Sequence, residues 1–498
     1  MAPTLSLTER TAGAVQWRFA GSALNVLSQL AIGVVLARLL TPADFGVIAL
    51  AAIVLGVARP FGELGIGNAL VQRARVTDRH LRSAFTFSTL LSLVVTAAIA
   101  AGATRIARLL GDVHAAGILR LLVIGFAFQG MSVVSSSLLR RDLDFRKQFF
   151  IDTASFVVGY GGVAIVLALL GYGVWSLAWG STAQLAIAAT ARFAVVRHPT
   201  SPLLAPRELG ELLTFGLGAA GVSVVSYVAL NGDNYVVGRW MGTGSLGLYG
   251  RAYALMNTPY LSAANVMSGV LFPAFSRVQH EPARLRRAYL VATRLTATIA
   301  APILAALAIA APHLILGIYG PQWRGTVAPL QILCVAGYFR ALYHLGGIVS
   351  QSAGRVYSEL WRQALYACLV VAGAIVGSRF DISGVAAGVG MAILYMFIAT
   401  GHLALKTTQT SWRTYFAAQR TAGIAAVVTA GVALTVRLAL EAARIPSVWI
   451  TAAIVVSAAV PFALAVLSAL GEPDLEPLRT QLPRWCVQLV DLVGSRTP

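Results

Sequence analysis

The sequence predicts an all-α polytopic membrane protein of about 14 transmembrane helices, built as two parallel six-helix repeats plus two C-terminal helices. Three observations predict it. Of the 498 residues, 57% are hydrophobic and only 11% charged, with a mean hydropathy of +0.75, whereas a soluble domain carries roughly 25% charged residues. Apolar runs near the ~20 residues that cross a bilayer recur along the whole chain. The Lys and Arg residues gather on alternate connections between those runs.

The runs follow in order. The first five spans are expected at 15–40, 45–71, 81–103, 116–139 and 149–170. Residues 153–191 hold no charge, but Gly171, Tyr172 and Gly173 break that stretch, so a sixth span is placed at 174–196. A polar linker with Pro199, Pro202 and Pro206 then marks a boundary. The next six spans are expected at 211–237, 246–275, 285–318, 327–352, 361–376 and 382–405. A basic linker with Lys406, Arg413 and Arg420 leads to the last two, at 421–440 and 447–470. The expected organisation is an N-terminal lobe (1–198), a C-terminal lobe (199–405), helices 13 and 14 (406–470) and a cytoplasmic tail (471–498). Residues 1–14 are polar, and no short apolar segment with a cleavage site follows them, so no cleaved leader is expected.

Charge placement orients the chain. The termini and the loops at 73–82, 140–147, 192–207, 277–287, 355–362 and 406–420 hold 25 of the 38 Lys and Arg residues, and the opposite loops hold 8. That asymmetry puts both termini in the cytoplasm. The net charge of +19 is thus a membrane-orientation signal, and no nucleic-acid partner is expected. Cys334, Cys368 and Cys486 are odd in number and far apart, so they give neither a disulfide framework nor a metal site.

A duplication is visible. Residues 34–50 (VVLARLLTPADFGVIAL) echo 231–259 (NGDNYVVGRWMGTGSLGLYGRAYALMNTP). In both an Arg precedes a Gly by eight positions, Arg38 and Gly46, then Arg239 and Gly247, at an offset of 201 residues. A second echo pairs LRSAF at Leu81 with LRRAY at Leu285. Six spans begin and end on one side, so their duplication gives parallel repeats about an axis along the membrane normal.

Arg59, Arg120, Arg251, Arg294 and Arg340 lie inside predicted spans, and Arg18 lies near the inner end of the first. Each central Arg costs about 2.5–3.5 kcal/mol to insert. Few acids are within reach (Glu63, Asp152, Asp233), so a cationic interior suited to an anionic substrate is expected, Arg matching phosphate oxygens two at a time. Arg59 and Glu63 are one helical turn apart and pair with each other or line the interior. Arg38, Arg239, Arg120 and Arg294 read as snorkelling side chains near helix ends. Arg251 is flanked by Tyr249 and Tyr253, with Asn257 and Pro259 further along, and reads as a site residue. Asp233 and Glu63 are candidates for ion coupling. Asn25, Gln29, Asn68, Asn234 and Asn257, with Gln129, Asn231 and Asn265, are polar groups within or bordering spans that serve either sugar hydroxyls or interhelical hydrogen bonds. His344 reads as structural. Trp175, Trp240, Trp323 and Trp449 read as part of an interfacial belt. No phosphate-binding Gly loop with Lys is present, so ATP hydrolysis is not expected, nor any metal, cofactor or catalytic residue. The connections are too short to build the pocket of a membrane glycan polymerase or ligase.

Seven segments in order carry a resemblance: ARLLTPADFGVIALA (37–51), GELGIGNALVQR (62–73), LLRRDLDFRKQ (138–148), GYGVWSLAWG (171–180), DNYVVGRWMGTGSLGLYGRAYALMNTP (233–259), LFPAFSRVQHEPARLRRAY (271–289) and GRVYSELWRQAL (354–365). Through them the chain resembles the polysaccharide transporter branch of the multidrug/oligosaccharidyl-lipid/polysaccharide exporter superfamily, the O-antigen and exopolysaccharide flippases. The resemblance implies two six-helix lobes around a central cavity. It implies alternating access and a polyprenyl-pyrophosphate-linked oligosaccharide carried from the inner to the outer leaflet of a bacterial inner membrane. It further implies arginines on the first, second and eighth helices for the pyrophosphate; Arg18, Arg59 and Arg251 fall there, only Arg251 within a matched motif. Membrane lipids are expected partners, along with a glycan polymerase and export machinery. The alternatives are a small-molecule exporter of the same superfamily, which should have an acidic interior, and a non-transporting scaffold of a glycan-assembly complex.

Overall fold

The structure, a computed structural model, describes residues 28–470 except 74 and 143, without the side chains of 214–226, 228–229, 258–270, 356 and 470. Among the described residues there is no β-strand, and ten helices are long and apolar enough to span a membrane. The protein is an all-α, multi-pass membrane protein. It forms two compact units, Met1–Gly247 and Leu248–Pro498.

The first unit contains α1 (Ser28–Leu39), α2 (Pro42–Glu63), α3 (Ile66–Gln72), α4 (Asp78–Leu110), α5 (Ala115–Arg141), α6 (Phe145–Leu169), α7 (Val174–Val195) and α8 (206–241). The core forms where α5 meets α2, α4 and α7, around Ile118, Leu119, Leu122, Phe126, Val47, Ala51, Ala103 and Ala178. Gly171 and Gly173 adopt positive φ and end the uncharged stretch between α6 and α7 as expected. The second span is not the single run 45–71. Leu64 (φ 40°) and Gly65 (φ 68°) are both left-handed, and two such residues cannot continue a right-handed helix, so it divides into α2 and α3.

The start of α2 is fixed locally. The Thr41 hydroxyl accepts the Asp44 N–H, the Asp44 carboxylate accepts the Thr41 N–H (2.9 Å), and Pro42 takes the first helical position. At the equivalent point of the second echo Gly242 adopts φ 85°, ψ 170°, and α8 gives way to α9 (243–277). The two echoing turns meet by backbone. A Cβ on Gly46 would lie 1.8 Å from the Thr243 carbonyl oxygen, and one on Gly247 would lie 1.8 Å from the Pro42 carbonyl oxygen. Pro42 and Thr243 are themselves related by the 201-residue offset. The contact is reciprocal, as between two copies about a two-fold axis.

The Pro-rich linker is not a free connection. The N–H groups of Leu203 and Ala205 donate to the Thr86 and Ser83 hydroxyls of α4 (both 3.1 Å), and the Arg82 Nε donates to the Ser201 carbonyl (3.1 Å). The start of α8 is tied down by Glu211, which pairs with Arg73, His80 and Arg207, and by Glu208 with Arg79 (3.1 Å). His198 packs against Phe85 and Phe193, with ring centroids 5.4 and 5.1 Å away. Burial there lowers its pKa from the ordinary 6.5, outweighing a hydrogen bond to the Pro199 carbonyl.

The second unit contains α10 (Pro282–His313), α11 (Val327–Ser352), α12 (Val356–Gly377), α13 (Ile382–Thr407), α14 (Trp412–Ala417), α15 (Arg420–Ala442) and α16 (Ser447–Leu470), together with most of α9. α11 packs on α10 and α13, and α12 on α13. The last two helices dock on α10. There the Glu441 carboxylate takes hydrogen bonds from His313 (2.6 Å) and Arg437 (2.8 Å).

Two measurements follow. Gly46→Ala and Gly247→Ala should each lower stability by about 1–3 kcal/mol or more through overpacking. Gly244→Ala, with nothing within 4 Å of its added Cβ, should not; thermal unfolding in detergent compares the three. As pH falls below 6.5 the unfolded chain protonates His198 before the folded chain does, so stability present at and above neutral pH is lost. His198→Gln should flatten that part of the profile of unfolding midpoint against pH.

Candidate functional site

Arg251 lies two turns inside α9. Its guanidinium carbon is 5.2 Å from the ring centroid of Tyr319 and 5.2 Å from that of Trp323. Those rings are brought together by a break in the chain. A π-helical turn (Leu314–Tyr319) ends at Gly320, whose φ of 113° starts a 3₁₀ turn (Pro321–Thr326). Tyr319 and Trp323 sit edge to face, 6.3 Å apart, and both are buried. The Thr326 hydroxyl donates to the Leu248 carbonyl (3.2 Å), tying this turn to the start of α9. Two aromatic faces on one cation contribute about 2 kcal/mol or more when desolvated, which offsets much of the insertion cost. Trp323 is 0% exposed, which corrects its assignment to an interfacial belt. Trp175, Trp240 and Trp449 are exposed.

Two residues further along α9, Tyr253 meets Arg340 of α11. The Arg340 Nη1 donates to the Tyr253 hydroxyl, and its guanidinium carbon lies 5.3 Å from the Tyr253 ring centroid. Arg340 is 6% exposed, and it is the functional candidate that sequence reasoning counted but did not select. Tyr249, Tyr253 and Asn257 share one face of α9. Tyr249 and Asn257 are buried, and the Asn257 Oδ1 has no hydrogen-bond partner among the described residues.

The remaining candidates belong to the first unit. Arg59 and Glu63 approach to 4.0 Å on α2, and the Glu63 carboxylate also accepts from Gln129 of α5 (3.1 Å). The Arg59 side chain is 66% exposed. Asn68 receives a long hydrogen bond from Arg140 (3.5 Å), and Arg120 is bonded to Thr104 (2.9 Å). Asp233 is 1% exposed and accepts the Asn234 N–H (2.9 Å); the Asn234 side chain reaches Asn231 (3.5 Å). Gln29 is exposed on α1. Arg18 and Asn25 lie outside the described residues. The expected residues therefore fall into local clusters, with Arg251, Tyr253 and Asn257 in the second unit and Arg59, Glu63, Asn68, Asp233 and Asn234 in the first.

Residues 35–328 match the profile of a family described as "Polysaccharide biosynthesis protein". The chain belongs to that family. It is 29% identical to the succinoglycan biosynthesis transport protein ExoT of Rhizobium meliloti (strain 1021) over 61% of each chain. It is 22% identical to the lipopolysaccharide biosynthesis protein WzxC of Escherichia coli (strain K12) over 71% of this chain and 72% of that one. The match thus spans about three fifths of the length of the succinoglycan relative. Among solved structures, the lipid II flippase MurJ in an inward closed conformation is similar in fold, with a TM-score of 0.72 at 15% identity over 90% of this chain and 97% of that one. A structure of MATE in complex with MaD3S matches with a TM-score of 0.51 at 17% identity, over 80% and 96%. The chain shares the fold of these structures.

Removing the hydroxyl from Tyr253 takes a hydrogen bond from a buried guanidinium. Tyr253→Phe should lower stability by about 1.5–3 kcal/mol. Tyr357→Phe, at an 88% exposed site, should change it by less than about 0.5 kcal/mol. Unfolding in detergent measures both.

Proposed function

We propose that this protein is a flippase. It carries a polyprenyl-pyrophosphate-linked oligosaccharide from the inner to the outer leaflet of a bacterial inner membrane by alternating access, for surface polysaccharide biosynthesis. The observation that carries the reading is Arg251 set against the rings of both Tyr319 and Trp323. A guanidinium carries its N–H donors in one plane, where they suit the paired oxygens of a phosphate. The family membership, and relatives named for succinoglycan transport and lipopolysaccharide biosynthesis, support a glycan cargo. A fold shared with a lipid II flippase is consistent with a lipid carrier.

In this reading Arg59 and Arg18 assist Arg251 at the pyrophosphate. Gln29, Asn25, Asn68, Asn234, Tyr253 and Asn257 serve the sugar or orient those arginines, and Asp233 and Glu63 are candidates for ion coupling. The working lobes are 1–198 and 199–405, in a fourteen-helix chain with both termini cytoplasmic. A glycan polymerase and export machinery receive the product, and the protein performs no covalent chemistry.

A strain lacking the gene, complemented with wild type, Arg251→Ala or Arg251→Lys at matched expression, tests this. Lipid-linked glycan on each leaflet is the readout. Arg251→Ala should slow transfer by about 10- to 100-fold, the worth of a charge-assisted hydrogen bond, with precursor building up on the inner leaflet and Lys restoring part of the rate. Normal transfer by both variants would remove the pyrophosphate site from Arg251. Absence of inner-leaflet accumulation in the deletion strain itself would favour the scaffold reading.

A further inference from the structure

The segment GRVYSELWRQAL (354–365) has no part in the Arg251 site, yet it builds a polar site of its own in the second unit. Glu359 stands in the first turn of α12, and Gln363, four residues on, shares its helical face. On α11, His344, Gly347, Ile348 and Gln351 repeat at the spacing of a single helical stripe. These two faces, with Tyr343 of α11 and Phe272 of α9, line a cavity of about 480 Å³. Glu359 and Tyr343 are buried, whereas Gln351 and Phe272 are exposed. The cavity therefore runs from the interior of the unit to its surface.

The lining is matched to hydroxyl groups. The Glu359 Oε1 accepts from the Gln363 amide (3.3 Å), and its Oε2 has no hydrogen-bond partner among the described residues. Arg362 acts on this carboxylate through its charge, but its N–H groups donate to the carbonyls of Ala399 (3.1 Å) and Ser358 (2.7 Å). An unused acceptor on a buried acid is costly until a donor reaches it. Gly347 leaves the carboxylate its place, since a Cβ there would lie 3.3 Å from Oε1. The carboxamides of Gln351 and Gln363 and the Tyr343 hydroxyl each offer both a donor and an acceptor. The Tyr343 ring lies against Tyr366, with centroids 6.0 Å apart, and with Phe272 it gives the cavity aromatic surface. Among the described residues no Lys or Arg lines the cavity, so the lining does not suit a phosphate. One carboxylate makes a poor site for calcium, which draws on several. A neutral molecule rich in hydroxyls and with an apolar face fits both parts of the lining. Its hydroxyls donate to the acid and accept from the amides, and its C–H face packs on the rings.

We infer that this cavity is a sugar-binding subsite, which takes one neutral sugar ring of the carried glycan and uses Glu359 as the acceptor that selects its hydroxyl pattern. The inference rests on the flippase reading and deepens it, by naming where the second unit reads the sugar. The volume suits the role, since small-molecule pockets run from roughly 300 to 1,000 Å³. The cavity lies where α11 ends and α12 begins. In the orientation proposed above that end is cytoplasmic, the side from which the glycan enters. A sugar with a hydroxyl placed for Glu359 is retained. One without it leaves the acid unpartnered, and a site built to hydrogen-bond a hydroxyl rejects such an analogue strongly.

The test measures the binding of two lipids to the purified full chain in detergent. One is the lipid-linked oligosaccharide extracted from a strain lacking the gene. The other is undecaprenyl pyrophosphate, which carries no sugar. Wild type should bind the glycosylated lipid more tightly. Glu359→Gln keeps the side-chain shape but removes the charge that strengthens the hydrogen bond. It should weaken binding of the glycosylated lipid by about 10- to 100-fold and leave binding of the bare lipid unchanged. Gln351→Ala, at an exposed position, should weaken the glycosylated lipid alone by about 2- to 10-fold, and it decides the matter if Glu359→Gln fails to fold. Arg251→Ala should weaken both lipids. The inference is overturned, with the flippase reading left standing, by a wild type without preference for the glycosylated lipid. Variants at Glu359 and Gln351 that bind it like wild type, or that lose both lipids alike, overturn it in the same way. A wild type that binds neither lipid removes both readings.

Discussion

The first unit depends on a contact that only backbone can make. Gly46 and Gly247 each present a hydrogen where any other residue would place a carbon 1.8 Å from an opposing carbonyl oxygen. Everything around the contact serves that approach. Thr41 and Asp44 cap α2 reciprocally, so its first turn is rigid. Gly242 takes a conformation closed to most side chains and turns the chain into α9. Gly238 leaves space for Leu50, whose Cδ2 would lie 2.5 Å from an added Cβ. In a bilayer, where lipid tails compete equally well for apolar surface, such close approach of small residues is the main source of helix–helix attraction.

The second unit solves a different problem, that of keeping charge inside an apolar bundle. It does so with aromatic rings. Arg251 lies over the rings of Tyr319 and Trp323, and Arg340 lies over Tyr253 while donating to its hydroxyl. Rings stabilise a cation through their faces without neutralising it.

Much of this was legible in the sequence. Ten of the helices long enough to span fall where apolar length and charge placement put them. The Gly46 and Gly247 echo marked in advance the turns that pack together, and Arg251 stood out as a charge inside a span flanked by Tyr249 and Tyr253. The errors have local causes. Leu64 and Gly65 end α2 through backbone torsions that hydropathy does not register. Arg340 was counted among the arginines inside spans but not selected, because its significance lies in a partner 87 residues away.

The sequence by itself determined the membrane-spanning all-α class, the family and the duplicated turns, because hydropathy, charge asymmetry and repeat spacing are properties of the chain alone. Only the tertiary structure decided which charges are compensated. Trp323 became the platform for Arg251, and not an interfacial anchor, because Gly320 redirects the chain into a tight turn beneath α9. The Pro-rich linker became a docked strap because Ser83 and Thr86 accept its N–H groups. In both cases the deciding interaction joins residues far apart in sequence, and no local pattern encodes it.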